Sequence, residues 1–546
     1  MDIASRSSLQ RTLRAVLLAL WLGSPVVWAA DGPREKAQRE CDRLSDKGQY
    51  LLAESFCRQA LSEAGLFGVL DPRLVTSQNN LGMLYLRMGR LSDAESFFRR
   101  AMETMQKQAN PDRAELAVAL NNLGEIYRNR DQLSEAESHF RRALARWQEA
   151  RGEQDPGIAV YLNNLAKVLL QQGKYPESAD LFRRALSIRE SQLSPEDPRV
   201  AASLTNLAEV YGFQGLYSQA EPLYRRSLSI REKILGPDHP DVATSLAGLG
   251  ALRRGLGDLV EARFLLERSL KIRKAALGAE HPQVAVSLNS LAGLYSYEGQ
   301  YARAESLYRQ ALRIQEKSLG PKHSEVAASL SNLAECLRLQ RRPKAAEPLY
   351  LQSLAILHEV YGPDHLAAAF ILNNLATCYR QQGDARKAES IFLRALVIKE
   401  KRLGPQHPEV ATTVSNLASL YLQLKQYDRA GTLGLRALEA RQKGLGPQHP
   451  ETAKSLCLMG DIYLERKHVQ QAENYYQQAL KIQTESLPES HPDLAFTLDS
   501  YASLLKATRR KSEAAKLHWQ AQAILRSDPG RDTVNAIDLV KNPRPK

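Results

Sequence analysis

A loop phrase that recurs every 42 residues constrains the fold of this chain more than any other feature of its sequence. In its fullest form the phrase reads Leu-Gly-Pro-x-His-Pro, as at residues 235–240 and 403–408. Its histidines stand 42 residues apart, at His239, His281, His323, His365, His407, His449 and His491. Self-similarity at such a period is typical of solenoids, in which stacked units bury one continuous core. We therefore expect one array across the 546 residues instead of three or four globular domains.

Two stretches between consecutive loops have apolar residues at helical spacing. The first carries Leu291, Ala292 and Tyr295, and the second carries Ala304 and Tyr308. This spacing indicates two amphipathic helices, and the glycine that often stands between them suits the left-handed end of a helix. Each 42-residue unit is therefore predicted to be a helical hairpin, which makes the fold all-α.

Small residues recur where the two helices of a hairpin must approach each other closely. In the first helix they are Gly82, Gly124, Ala166, Ala208, Gly250, Ala292, Ala334, Ala376, Ala418, Gly460 and Ala502, and in the second they run from Ala94 to Ala514 at the same spacing. Together with a less regular hairpin around residues 41–61, they predict about twelve units. The expected organisation is an atypical N-terminal hairpin at 34–75, a tandem array at 76–526, and a tail or cap at 527–546.

The offsets of these small residues, leucines and aromatic residues resemble the tetratricopeptide repeat. The 42-residue period and the phrase Leu-Asn-Asn-Leu-Ala resemble its kinesin-light-chain subtype, and the resemblance covers residues 34–526. It implies a right-handed superhelix whose first helices line a concave face. It also implies a non-enzymatic scaffold that binds proteins and holds extended peptides with asparagines of those helices.

The N-terminus is typical of a secretory signal. Basic residues precede an apolar stretch at 15–22, Pro25 interrupts it, and cleavage is predicted after Ala29 or Ala30. The apolar stretch is shorter than the ~20 residues that a membrane-spanning helix needs. We expect residues 1–29 to be removed and the chain, of bacterial type, to be periplasmic or secreted with no integral membrane segment. The alternative is a membrane anchor formed by an uncleaved N-terminal segment.

The formal net charge of +13 fits acidic partner segments, anionic membranes or nucleic acid, and does not choose among them. No aromatic-basic nucleic-acid motif is present, so nucleic acid is disfavoured as a partner. The five cysteines include no C-x-x-C pair. Cys41 and Cys57 fall on opposite arms of the first hairpin and could pair in an oxidising compartment. We expect Cys336, Cys378 and Cys457 to be buried thiols.

No catalytic motif is recognisable, and the sequence predicts neither enzymatic activity nor a cofactor. The seven loop histidines superficially suggest a metal ladder, but a metal ion needs several ligands within about 2 Å. Equivalent positions in stacked hairpins are separated by at least the ~8–10 Å between helix axes. We therefore expect the histidines to order the loops.

Asparagines just before a leucine of the first helix are the candidate functional residues. They are Asn79, Asn80, Asn121, Asn122, Asn163, Asn164, Asn206, Asn289, Asn332, Asn373, Asn374 and Asn416. An amide offers both a donor and an acceptor, so it can hold a peptide backbone of any sequence. Alternatively, these amides bond neighbouring helices.

One turn further along the same helices stand Arg128, Arg254, Arg338 and Arg380. Arginine pairs bidentately with carboxylates, although exposed charges are more often simply solvated. Together the two sets predict a groove for an extended acidic peptide or partner protein. The alternative function is a structural or assembly factor of the bacterial envelope that acts through its convex surface.

Two units depart from the pattern. Gly248 stands where asparagine is usual, with Arg253 and Leu266 at two aromatic positions, and Gly434 replaces a large aromatic residue. A lost buried aromatic side chain costs ~3–5 kcal/mol if nothing refills its space. The sequence leaves open whether these units are soft or locally repacked.

Overall fold

The computed structural model describes residues 32–108 and 112–526, so the expected signal segment and C-terminal tail lie outside the described residues. Over the described ranges the chain forms twenty-four α-helices and no strand. The helices pair into twelve consecutive antiparallel hairpins, which confirms the predicted all-α solenoid. We number the hairpins 1 to 12 along the chain.

Each hairpin has a first and a second helix of similar length. The first helices are α1 (Pro33–Asp46), α3 (Pro72–Arg87), α5 (Arg113–Asn129), α7 (Ile158–Gln171), α9 (Pro198–Phe213), α11 (Pro240–Gly255), α13 (Pro282–Tyr297), α15 (Ser324–Leu339), α17 (Leu366–Gln382), α19 (Pro408–Gln423), α21 (Pro450–Glu465) and α23 (Pro492–Ala507). The second helices are α2 (Tyr50–Gly65), α4 (Leu91–Gln106), α6 (Leu133–Arg151), α8 (Tyr175–Gln192), α10 (Tyr217–Leu235), α12 (Leu259–Leu277), α14 (Tyr301–Leu319), α16 (Pro343–Tyr361), α18 (Ala385–Leu403), α20 (Tyr427–Leu445), α22 (Val469–Ser486) and α24 (Lys511–Arg526).

Small residues and aromatic rings interlock at the centre of each hairpin. A β-carbon added to Gly82 would lie 2.6 Å from the Phe98 ring, and one added to Gly124 would lie 2.8 Å from the Phe140 ring. Both rings are fully buried. At these positions the residue is small because it receives the ring of the opposite helix.

The two atypical units are filled by other side chains. At Gly434, where the aromatic ring is missing, Met459 and Ile462 occupy the space, and an added β-carbon would lie 2.5 Å from the Met459 sulfur. Leu266 is buried against Gly250 in place of an aromatic ring. Local repacking, one of the two alternatives left open by the sequence, is therefore what the structure shows at both places.

A disulfide joins Cys41 of α1 to Cys57 of α2, with 5.3 Å between their α-carbons. This bond links the two arms of hairpin 1, as the sequence allowed. Cys336 and Cys378 are buried and belong to no disulfide of the described chain, as expected, whereas the expectation of burial was wrong for Cys457, which is partly exposed.

The array curves with its first helices inside. Consecutive first helices contact one another along the array, whereas consecutive second helices approach less closely among the described residues. The first helices therefore line the concave face, and the second helices form the convex face. The superhelix also has two edges. We call the one formed by the turns within hairpins the turn edge, and the one formed by the loops between hairpins the loop edge.

Loop histidines join successive superhelical turns. The Nε2 atom of His281 lies 3.1 Å from the carbonyl oxygen of Asp46, which is 235 residues earlier. The same contact, at a separation of 236 residues, joins His323 to Arg87, His365 to Asn129 and His491 to Gly255. The His407 and His449 rings face the equivalent carbonyls of Gln171 and Phe213. The separation of 235 or 236 residues between the bonded groups corresponds to about five and a half repeats of 42 residues, so one superhelical turn contains about that many hairpins.

Apolar contacts accompany these bonds. Tyr361, which stacks on His365 with ring centroids 4.2 Å apart, packs on the core of hairpins 1 to 3. Leu403 and Leu445 pack on the cores of later hairpins in the same way. The loop edge of hairpins 7 to 12 therefore rests on the turn edge of hairpins 1 to 6.

Candidate functional site: the concave groove

The concave face carries asparagines that bridge neighbouring first helices. The Asn164 amide nitrogen donates to Oδ1 of Asn121 at 2.9 Å, and the Asn416 nitrogen donates to Oδ1 of Asn373 at 3.1 Å. Asn289 donates to the hydroxyl of Ser329 at 2.8 Å. The alternative role considered for these amides, bonding between neighbouring helices, is therefore present for these pairs.

Some asparagine oxygens of the set have no hydrogen-bond donor in the described chain. The Oδ1 atoms of Asn79, Asn163 and Asn289 are buried and accept no hydrogen bond. A buried acceptor without a donor costs free energy, and these oxygens are enclosed by the protein and do not face the open groove. The rest of the predicted set differs in exposure: Asn122 is buried, Asn80, Asn206 and Asn374 are partly buried, and Asn332 is exposed.

One recess brings five of the predicted residues together. It has a volume of about 300 Å³ and opens on the first helices α15, α17 and α19. Its lining consists of Glu335, Arg338, Leu339, Asn373, Asn374, Thr377, Arg380, Gln381 and Asn416. Three consecutive hairpins therefore contribute polar side chains to a single concave site.

Arg338 is neutralised within this recess. Its Nε and Nη2 atoms donate to both carboxylate oxygens of Glu335, at 2.8 and 2.5 Å, and Tyr350 donates its hydroxyl to the same carboxylate at 2.7 Å. Although burial opposes the charge, the guanidinium holds the pKa of Glu335 below its ordinary value. Arg338 therefore brings no net charge to the groove.

Arg380 has no such partner. No acidic side chain within residues 32–108 and 112–526 lies at ion-pair distance from its guanidinium, and the group is partly buried. Burial, together with the like charge of Arg338, lowers the pKa of Arg380 to about 10. The group remains charged at neutral pH, so it is a desolvated cation for which a carboxylate is the natural complement.

The other two predicted arginines also differ from each other. Arg128 donates to Glu125 at 2.7 Å, as Arg338 does to Glu335, whereas Arg254 is exposed and forms no ion pair in the described chain. Glu335, Thr377 and Gln381 line the recess but were not predicted. An acidic residue three positions before an arginine is the sequence signal that would have identified the neutralised pair.

Among the described residues, no group of histidine, cysteine or acidic side chains is arranged to hold a metal ion. The same part of the chain contains no helix with the length and apolar character needed to cross a membrane. Within the recess itself, Arg380 is the arginine without an acidic partner in the described chain.

Comparisons with known proteins agree with this architecture. The family model of the tetratricopeptide repeat matches residues 44–107, 115–191, 199–275, 255–317, 283–357, 325–401, 371–443 and 409–485. No curated protein matches the chain.

Two solved structures illustrate the similarity. A Podosopora anserina protein, described as a kinesin light chain with nearly identical TPR-like repeats, is 28% identical over 38% of this chain and 97% of its own, with a TM-score of 0.33. BtubC (BKLC) from P. vanneervenii is 25% identical over 43% of this chain and 92% of its own, with a TM-score of 0.33. Arrays of this repeat serve in general as non-enzymatic scaffolds for protein–protein interaction. The matched repeats extend over more than half of the sequence, and the chain belongs to the tetratricopeptide repeat family.

Proposed function

We propose that this protein is a non-enzymatic scaffold that binds an extended acidic segment of a partner protein in its concave groove. The observation that carries the proposal is Arg380, a partly buried guanidinium without an acidic partner in the described chain, which lines a recess of about 300 Å³. A carboxylate of the partner would supply the missing counter-charge.

The asparagines explain how such a segment would be held along its length. Amide groups of Asn374 and Asn416 stand beside Arg380, and each hydrogen bond to a peptide backbone contributes a net ~0.5–1.5 kcal/mol. Hydrogen bonds to a charged group contribute more, ~1.5–3 kcal/mol. Specificity would therefore come from a carboxylate of the partner that pairs with Arg380. The amides would bind the peptide backbone and would tolerate any side chain.

Fluorescence anisotropy tests this proposal with a labelled peptide of alternating glutamate and alanine residues. The wild-type chain should bind it, and should bind a peptide with glutamine in place of glutamate at least tenfold more weakly, because the charge-assisted bond is lost. Arg380→Glu should abolish binding, and added salt should weaken it. Arg183→Glu is the matched control, because Arg183 lies exposed on the second helix α8. Equal binding of both peptides, or normal binding by Arg380→Glu, would refute the groove proposal.

A specific observation favours the second candidate function, an assembly factor that acts through the convex face. Three consecutive second helices expose a leucine at the same repeat position: Leu351, Leu393 and Leu435 are 43–47% exposed. In five other hairpins this position holds an arginine paired with an acidic residue of its own helix: Arg99, Arg141, Arg183, Arg225 and Arg309. Changing the three leucines to arginine should abolish partner capture if the convex face is the binding surface, and should leave peptide binding in the groove unchanged.

Export from the cytoplasm, with residues 1–29 as the signal, is also part of the proposal. The disulfide between Cys41 and Cys57 supports it, because such bonds persist in oxidising compartments. N-terminal sequencing of protein from fractionated cells should find a terminus at Ala30 or Asp31. An intact Met1 terminus in the cytoplasmic fraction would contradict export, and an intact terminus in the membrane fraction would favour the anchor.

A further inference from the structure

The turn edge changes its chemistry halfway along the array. In hairpins 1 to 6, where loops of the next superhelical turn cover it, five of the six turn residues with positive φ are glycine: Gly48, Gly89, Gly173, Gly215 and Gly257. In hairpins 7 to 12 four of the six are basic: Arg341, Lys425, Lys467 and Arg509. All four are exposed, with φ between 58° and 67°.

Basic residues at these positions stand in a conformation that favours glycine. A left-handed backbone costs a residue with a β-carbon ~1–2 kcal/mol. Glycine would avoid this cost at the uncovered turns too, so the lack of a covering loop does not by itself explain why basic residues stand there. The glycines of the covered turns have a direct steric reason, since a β-carbon on Gly173 would lie 2.8 Å from the His407 ring. The basic side chains thus mark a different use of the uncovered turns.

The loop edge shows the complementary change. In hairpins 7 to 12 the residue that caps the first helix is a histidine, which contacts the previous superhelical turn. In hairpins 2, 3 and 5 the capping residue is an aspartate, Asp71, Asp112 or Asp197, and in hairpin 4 Asp155 stands at the equivalent repeat position, two residues before the N-cap Gly157. Each of these carboxylates accepts a hydrogen bond from the backbone N–H two residues later. The uncovered loop edge therefore presents carboxylates at the position where the uncovered turn edge presents basic side chains.

The inter-turn contacts define how a second copy would be placed on this edge. Within the chain, the loops that precede hairpins 7 to 12 rest on the turns of hairpins 1 to 6, so each loop contacts the sixth hairpin before its own. If a second copy continues the same superhelix, its hairpins 2, 4 and 5 rest on hairpins 8, 10 and 11 of the first copy. This register sets Asp71 opposite Arg341, Asp155 opposite Lys425 and Asp197 opposite Lys467. The same register sets Asp112 opposite Gly383 and His239 opposite Arg509.

The chain already contains one contact of this type. Asp131, the single non-glycine residue among the covered turns, has its Oδ2 atom 3.1 Å from Nε2 of His365 in the incoming loop. A charged side chain on a turn can therefore bind the capping residue of the loop that covers it. In the proposed contact the positions are reversed: the basic side chain is on the turn and the acidic side chain is in the loop.

The uncovered edge also has a recess where such a loop would rest. It has a volume of about 550 Å³ and lies between the turns of hairpins 10 and 11. Lys425 and Lys467 both line it, together with Tyr427 and His468. Asp155, the predicted partner of Lys425, forms no ion pair in the described chain, whereas Asp71 and Asp197 also bind Arg73 and Arg199.

We propose that the turn edge of hairpins 8 to 11 is an interaction surface for the loop edge of a second copy of this chain, so that copies associate head to tail and continue the superhelix. Such a contact joins two different surfaces and is therefore open-ended. Because its basic side chains are exposed, association should weaken as salt rises. The concave groove takes no part in it.

Sedimentation velocity of the full chain tests this contact. At about 50 mM salt, wild-type protein should form species larger than a monomer as its concentration rises toward ~100 µM, and about 500 mM salt should dissociate them. The triple variant Arg341→Glu/Lys425→Glu/Lys467→Glu should associate at least tenfold more weakly, because three attractive pairs become repulsive. Wild-type protein that remains monomeric at low salt would overturn the proposal.

Two further variants separate this contact from other causes. Asp71→Asn/Asp155→Asn/Asp197→Asn removes the acidic charges and retains side-chain oxygens that can accept the same backbone N–H groups, so it should weaken association several-fold without loss of helicity. The matched control, Arg183→Glu/Arg225→Glu/Arg309→Glu, reverses three charges on the convex face, where these side chains are 52–57% exposed. It should associate like the wild type. A loss of association equal to that of the turn-edge variant would show that net charge alone is responsible, and would refute the proposed pairing.

Discussion

The imidazole of His365 links two superhelical turns to the start of a helix. Its Nε2 atom lies 2.9 Å from the carbonyl oxygen of Asn129 and 3.1 Å from Oδ2 of Asp131, while its Nδ1 atom accepts the backbone N–H of Ala367 at 3.2 Å. The Nδ1 atom must therefore be unprotonated, and the ring proton lies on Nε2. The same histidine caps α17 and joins it to a residue 236 positions earlier.

Acidification should destabilise this protein through its loop histidines. Burial lowers the pKa values of His281, His323, His407, His449 and His491 in the folded chain. The unfolded chain takes up protons near the ordinary value of about 6.5, so below that pH it binds more protons than the folded chain does. Stability should be fully present above pH ~6.5 and fall as the pH drops toward the lowered values. Thermal melts followed by circular dichroism between pH 8 and 5 measure this.

The control for the pH effect is His407→Asn/His449→Asn. Asparagine also caps helices but does not titrate in this range, so the variant should lose less stability between pH 7 and 5 than the wild type. An unchanged slope in the variant would assign the pH dependence to other groups.

A pair of glycine variants should separate inter-turn packing from backbone strain. Gly173 and Gly383 have φ of 74° and 85°, so alanine carries a similar backbone cost of ~1–2 kcal/mol at either position. Only at Gly173 would the new β-carbon meet another turn, 2.8 Å from the His407 ring, whereas nothing lies within 4 Å at Gly383. Gly173→Ala should therefore lower the free energy of unfolding by ~1–3 kcal/mol more than Gly383→Ala. Equal losses in urea titrations would mean that the inter-turn contact can rearrange around the added β-carbon with no further loss in the free energy of unfolding.

Replacing either of two groove arginines with methionine should have different effects on the stability of the chain. Arg380→Met removes a partly buried cation without a counter-charge and should leave stability unchanged or raise it by up to ~1 kcal/mol. Arg338→Met leaves Glu335 uncompensated and should destabilise the chain by ~1–3 kcal/mol, below the range for a fully buried pair because the carboxylate is 35% exposed. Chemical denaturation of both variants gives the comparison. A large loss for Arg380→Met would show that this guanidinium has a structural role.

Reduction should loosen hairpin 1 selectively. The bond between Cys41 and Cys57 closes a short loop, and such a crosslink contributes ~3 kcal/mol. Cys41→Ser/Cys57→Ser should therefore increase amide hydrogen exchange in α1 and α2. Exchange in α17 should not change, and an increase there of similar size would indicate general destabilisation.

The hairpins could be predicted from the sequence because each one is a local structure. The small residue at Gly82 and the ring of Phe98 are only 16 positions apart, and both recur with the period. The contact between His281 and Asp46 could not be predicted in this way. It depends on the rotation between successive hairpins summed over about six of them, so small differences in packing decide which hairpins meet. The sequence indicated that the histidines order loops, but gave no sign of their distant partners.

The groove was predicted in part for a related reason. The asparagines and arginines recur at fixed repeat positions, so their common face follows from the period. Whether an arginine is available depends on its own neighbours: Arg128 and Arg338 have a glutamate three residues before them, while Arg254 and Arg380 have alanine and threonine. Those differences were visible in the sequence, but the burial that leaves Arg380 desolvated was not.

The joined superhelical turns give each early hairpin neighbours in two directions. In an ordinary solenoid a repeat contacts only the repeats before and after it, so damage at one end stays local. Here hairpin 6 also contacts hairpin 12 through His491 and Gly255. Deleting the last hairpin should therefore expose the middle of the array as well as its end. Cooperativity extends across the superhelix, and the contacts between turns, which close the longest loops in sequence, should be among the last to form during folding.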